Sequence, residues 1–114
     1  MHEDRPLVAV CATGEIMPGE IRPVPGFPIL VCRSGDSLYA VAAVCPHSGA
    51  LLKKGSVVED CLECPLHGAR FALADGRIRR GPSSRRLATY PVIVTEGDIF
   101  VSTRPHPRRT WWSR

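Results

Sequence analysis

The sequence predicts an all-β fold, with short antiparallel strands forming a β-sandwich or partly closed barrel. Three observations point to it. Eleven Pro and ten Gly are scattered through 114 residues as punctuation, which suits many short strands and tight turns. The apolar runs are brief and stop at Gly-, Asp- or Pro-containing turn signals. No amphipathic helical period lasts beyond two turns.

In chain order, Leu7-Val8-Ala9-Val10-Cys11 predicts a first strand, ending at Ala12-Thr13-Gly14. Glu20 to Val24 predicts a second, behind a Pro18-Gly19 turn. Ile29 to Arg33 and Leu38 to Ala42 flank Ser34-Gly35-Asp36, a hairpin signal. Val57-Val58 and Cys61-Leu62-Glu63 lie on either side of Glu59-Asp60. Phe71-Ala72-Leu73 runs into the turn residues Ala74-Asp75-Gly76. Tyr90 to Val94 and Ile99 to Ser102 bracket Glu96-Gly97-Asp98 as a closing hairpin. A length of 114 residues with 44% hydrophobic content fits one domain with one core, assigned to residues 1–103. Beyond Thr103 the chain is rich in Pro and Arg, so residues 104–114 are expected to form a loose basic tail.

Composition narrows the function. No window approaches the roughly eighteen apolar residues of a membrane span. Met1-His2-Glu3-Asp4-Arg5-Pro6 lacks the apolar region and cleavage site of a signal peptide. A cytoplasmic location is therefore expected, with the five Cys reduced. The net charge of +4 is uneven: residues 61–114 hold ten Arg and four acids. Arg77, Arg79, Arg80, Arg85 and Arg86 crowd one stretch. No helix-turn-helix, RNP-like or OB-like aromatic pattern accompanies them, so no nucleic-acid partner is expected. Two readings remain, a solvated surface and a positive rim that steers an acidic redox partner.

Two peptides carry the chemistry, Cys45-Pro46-His47 and Cys64-Pro65-Leu66-His67-Gly68. Each offers one thiolate and one imidazole, and sixteen residues separate them. Two Cys and two His suit a [2Fe–2S] centre with two imidazole ligands. They also suit a tetrahedral zinc site, and spacing alone leaves both open. Cys61 and Cys64 form a C-x-x-C, but no βαβ context supports a thioredoxin-like dithiol. Cys11 and Cys32 lie in apolar strand runs and read as buried thiols. His2 and His106 lie in terminal segments and receive no role.

The surrounding residues carry a resemblance. Cys-Pro-His-Ser-Gly-Ala, then Glu-Cys-Pro-Leu-His-Gly-Ala-Arg-Phe, then Gly81-Pro82 resemble the Rieske family. From about Leu7 to Val101 the chain looks most like the small ferredoxins that feed bacterial ring-hydroxylating dioxygenases in aromatic hydrocarbon catabolism. The resemblance implies a base of antiparallel sheets with a sub-domain, about residues 43–81, inserted between base strands. One [2Fe–2S] cluster per chain would sit at its tip, with Cys45 and Cys64 on one iron and Nδ1 of His47 and His67 on the other. Pro46 and Pro65 would stiffen the loops. Gly49 and Gly68 would take positive φ close to the cluster, and Pro82 would shield it from water. Respiratory-chain members carry a disulfide where this chain has Ala50 and Leu66, so that bridge is impossible here. Ala69 and Phe71 stand where high-potential members place Ser and Tyr hydroxyls. A potential near the low end of the Rieske range, about −150 mV, is therefore expected.

The implied function is single-electron transfer from a flavin-dependent reductase to a terminal oxygenase. The chain would be a carrier and not itself an enzyme, since no separate 2-His-1-carboxylate set is present. The basic charge departs from the acidic balance frequent among these ferredoxins. The alternatives are a small subunit of a larger redox enzyme, such as a nitrite reductase, and a zinc-stabilised structural module.

Overall fold

A computed structural model describes residues 6–81 and 85–107. Among the described residues, eleven strands form three antiparallel sheets. The first holds β1 (Leu7–Ala12), β10 (Val92–Thr95) and β11 (Asp98–Ser102), in the order β1-β11-β10. The second holds β2 (Ile21–Pro23), β3 (Ile29–Ser34), β4 (Ser37–Ala42) and β9 (Thr89–Tyr90). The third holds β5 (Ser56–Val58), β6 (Cys61–Glu63), β7 (Arg70–Ala72) and β8 (Ile78–Arg80), in that order. The described helical structure is limited to two 3-10 turns, Thr13–Glu15 and Leu52–Lys54.

β3 explains how three sheets share so little chain. Ile29, Leu30, Val31 and Cys32 are all buried, because side chains alternate faces along a strand and both faces of β3 are covered. Ile29 and Val31 pack with Ala40 against Ile99 and Val101 of the first sheet. Leu30 and Cys32 share a core with Val41, with Leu62 and Phe71 of the third sheet and with Leu73 just beyond β7. The second sheet is thus the middle layer. The third sheet lies wholly between β4 and β9 in the chain, and β4 and β9 are neighbours in the second sheet.

The turns follow their residues. Gly35-Asp36 closes β3–β4, with Gly35 at φ +58°. Glu96-Gly97 closes β10–β11 with φ of +51° and +81°, the left-handed pair that tight hairpins favour. Glu59-Asp60 closes β5–β6 with φ of +50° and +63°, a conformation unfavourable for L-residues. Tertiary bonds hold it: the Ser34 hydroxyl donates to the Asp60 carboxylate, and Leu73 N donates to Asp60 O at 3.0 Å.

Three expectations are corrected. The single strand expected over Tyr90 to Val94 divides at Pro91 into β9 and β10, in different sheets. Pro91 has no N–H to give a ladder and a fixed φ, so the chain changes sheets there. Arg77 to Arg80, expected only as a charged stretch, contains edge strand β8. His106 is anchored: its backbone N donates to Thr89 O at 2.8 Å, and its Nδ1 lies 3.0 Å from Thr89 Oγ1. Of the tail expected at residues 104–114, residues 108–114, including Trp111-Trp112, lie outside the described residues, as do His2 and Pro82.

Candidate metal centre

The two ligand peptides occupy turns with the same backbone pattern. Cys45 N donates to Ala50 O and Gly49 N to Cys45 O, both at 2.9 Å. Cys64 N donates to Ala69 O at 2.8 Å and Gly68 N to Cys64 O at 3.2 Å. Gly49 and Gly68 take φ of +76° and +75°, the left-handed geometry that glycine adopts without steric cost. The first turn is enclosed by the isolated Val44–Leu51 bridge, and the second joins β6 to β7. The pattern recurs at the other end of β7, where Ala72 N donates to Arg77 O and Gly76 N to Ala72 O, both at 2.8 Å. That third turn carries no Cys or His. The turn is therefore a scaffold unit, and the ligand chemistry comes from what decorates it.

The four expected donors assemble as two pairs. Cys45 and Cys64 are buried, with Leu52, Leu62, Ala69 and Phe71 in the same core. Burial alone would push the Cys45 thiol up. Hydrogen bonds from the Ser48 hydroxyl, the Ser48 and His47 backbone N–H groups and the Cys64 side chain outweigh it, holding the thiol below its ordinary value. His47 and His67 are exposed, their rings 5.9 Å apart and inclined at 75°. The sulfurs thus face the protein and the imidazoles face the surface. Among the described residues, no three His, Cys, Asp or Glu side chains surround one point closely enough to hold a single ion.

The other marked residues fall around these pairs. Pro46 is half-buried, whereas Pro65 and Leu66 are exposed in the second turn. Ala50 and Leu66 stand at the expected bridge positions, and all five Cys are free thiols. Cys61 lies at the far end of β6 from the turn, among Arg70, Arg79, Glu59 and Asp60. Desolvation is the largest influence on it and pushes its thiol up. Cys32, completely buried, is pushed up to about 12 by desolvation. Cys11 is raised as well, again chiefly by desolvation.

One neighbour escaped the sequence reading. Ser48 Oγ lies 3.6 Å from Cys64 Sγ and accepts the Ala50 N–H at 3.2 Å. Its signal was the hydroxyl directly after His47, set against Gly68 directly after His67.

The donor chemistry fits an iron–sulfur group ligated by two thiolates and two imidazoles: paired soft sulfurs under amide donors, beside paired imidazoles. Comparisons with known proteins agree. Residues 7–91 match the family model for the Rieske [2Fe-2S] domain. Ferredoxin CarAc of Metapseudomonas resinovorans is 36% identical over 96 residues, covering 82% of this chain and 90% of that protein. The structure of a complex of reduced oxygenase and oxidized ferredoxin in carbazole 1,9a-dioxygenase contains a chain that aligns with a TM-score of 0.84 at 32% identity. That match covers 92% of this chain and 100% of the other. A chain assigned as an NADH-dependent nitrite reductase small subunit from Mycobacterium tuberculosis aligns with a TM-score of 0.78 at 30% identity, covering 88% and 96%.

Proposed function

The chain belongs to the Rieske [2Fe–2S] family, and on that premise we propose that it is the electron-carrying ferredoxin of a ring-hydroxylating oxygenase system. Cys45, His47, Cys64 and His67 would hold one cluster. The observation that carries this reading is the division of donors into a buried sulfur pair and an exposed imidazole pair. A binuclear group needs two ligands on each iron, whereas one tetrahedral zinc would draw all four donors to a single point. A [2Fe–2S] group with two neutral His supplies one-electron transfer at a potential above that of all-Cys clusters.

Each protein residue then has a physical task. The amide and hydroxyl donors around Cys45 favour its thiolate, the form that binds metal. The buried core beneath both Cys keeps the sulfurs away from water and fixes the turns. His47 and His67 bring the site to the surface, where a partner approaches most closely. Val44, Leu51 and Leu66, 42%, 47% and 53% exposed, give that end an apolar contact rim. Arg79 and Arg80 are exposed on edge strand β8 and supply positive charge for steering an acidic partner. A flavin-dependent reductase would donate the electron and a terminal oxygenase would accept it, so the chain carries charge without itself transforming a substrate. Among the described residues no helix is long and apolar enough to cross a membrane, and a cytoplasmic setting suits the free thiols.

Reconstitution tests this reading. The purified protein is expected to contain iron and acid-labile sulfide. It should be reduced by a flavin reductase in one-electron steps and reoxidised by a ring-hydroxylating oxygenase that turns over only when it is added. Zinc without sulfide would support the structural module instead. The likeness to the nitrite reductase small subunit gives a second reading, distinguished by stable copurification with a large reductase subunit and no transfer to an oxygenase.

A further inference from the structure

Ser48 belongs to the first turn and Cys64 to the second, so the 3.6 Å contact between them crosses the site. Ser48 is half-buried, and its oxygen already accepts the Ala50 N–H at 3.2 Å. That bond occupies acceptor capacity and leaves the hydroxyl hydrogen free to point elsewhere. In a free thiol pair either atom of the Ser48–Cys64 contact can donate. Metal ligation removes that ambiguity, because a ligating Cys is a thiolate and only accepts. Ser48 must then be the donor.

We propose that Ser48 is a positioning residue whose hydroxyl donates to Cys64 Sγ across the two turns and raises the reduction potential of the site. The inference rests on the electron-carrier reading. A hydrogen bond to a ligand sulfur withdraws electron density and stabilises the more negative, reduced state. Ala69 and Phe71, both buried, offer no hydroxyl on the second turn's side. Ser48 supplies one from the opposite turn. The site therefore has a donor that the expectation of a potential at the floor of the range omitted.

The test is spectroelectrochemical titration of the cluster-loaded protein at fixed pH, with iron and sulfide quantified for every variant. Ser48→Ala should become about tenfold harder to reduce, a fall of ~59 mV for one electron. Ser48→Thr, which keeps the hydroxyl, should stay near the wild type. Ser48→Val, of the same shape without the donor, should follow Ser48→Ala. Should Ser48→Ala fail to load, the Thr and Val variants give the comparison alone. Fully loaded Ala and Val variants with wild-type potentials would overturn the inference, as would equal shifts in Thr and Val. A wild-type protein without iron and sulfide overturns the carrier reading beneath it, whereas full loading with unchanged potentials overturns this inference alone.

Discussion

Gly76 joins the third sheet to the base, and substituting it should cost more than its backbone angle alone implies. Its φ is +75°, its N donates to Ala72 O at 2.8 Å, and its O accepts Leu87 N at 3.0 Å. A Cβ there would collide with the Leu87 carbonyl. Gly26 is the matched control, with φ of +79° and open space where a Cβ would go. Gly26→Ala should cost about 1–2 kcal/mol, the penalty of a left-handed L-residue. Gly76→Ala carries the same penalty and also displaces the backbone at Leu87. That loses a hydrogen bond worth about 1 kcal/mol and part of a Leu burial worth about 1.5–3 kcal/mol. The total is about 3–5 kcal/mol, a large share of the roughly 5–15 kcal/mol that holds a domain together. Leu87 shares its core with Cys45, Cys64 and Phe71, so cluster absorbance should also bleach earlier on warming. Urea denaturation of both variants measures the difference. Equal losses would show that the Gly76–Leu87 approach does not constrain the fold.

Further outcomes follow from the site and its setting. Because Cys32 stays protonated in the folded protein until about pH 12, while an unfolded thiol ionises near pH 8.5–9, the unfolded state binds fewer protons between these values. Stability should therefore fall with rising pH above 9, by up to about 1.4 kcal/mol per pH unit, and Cys32→Ala should flatten that slope in denaturation series. Reversing Arg79 and Arg80 to Glu should slow association with an acidic redox partner about tenfold or more at low salt. Stopped-flow traces at high salt should converge on the wild type. Cys61→Ser should leave the cluster spectrum intact; bleaching would mean that Cys61, and not Cys64, is the ligating thiolate.

The sequence made the site more legible than its frame. Cys45, His47, Cys64 and His67 stand out because few other purposes place thiol and imidazole beside Pro and Gly in two matched turns. The hairpins at Gly35-Asp36 and Glu96-Gly97 were legible for the same local reason, since positive φ restricts the residues there. β8 was hidden because Ile78-Arg79-Arg80 has one apolar residue, and its strand state depends on pairing with β7. The break between β9 and β10 depends on which sheet each half joins, a tertiary fact marked locally only by Pro91. Ser48 was passed over because its contact reaches the other turn, sixteen residues away along the chain. Equally nonlocal is the fixing of His106, seventeen residues beyond Thr89.

The most direct measurement is EPR of the dithionite-reduced protein with resolved nitrogen couplings. A paramagnetic [2Fe–2S] signal that appears on one-electron reduction, coupled to two ligand nitrogens and accompanied by two irons and two sulfides per chain, is the predicted result. A silent, colourless protein, or a signal without nitrogen coupling, would contradict the ligand set on which the carrier function depends.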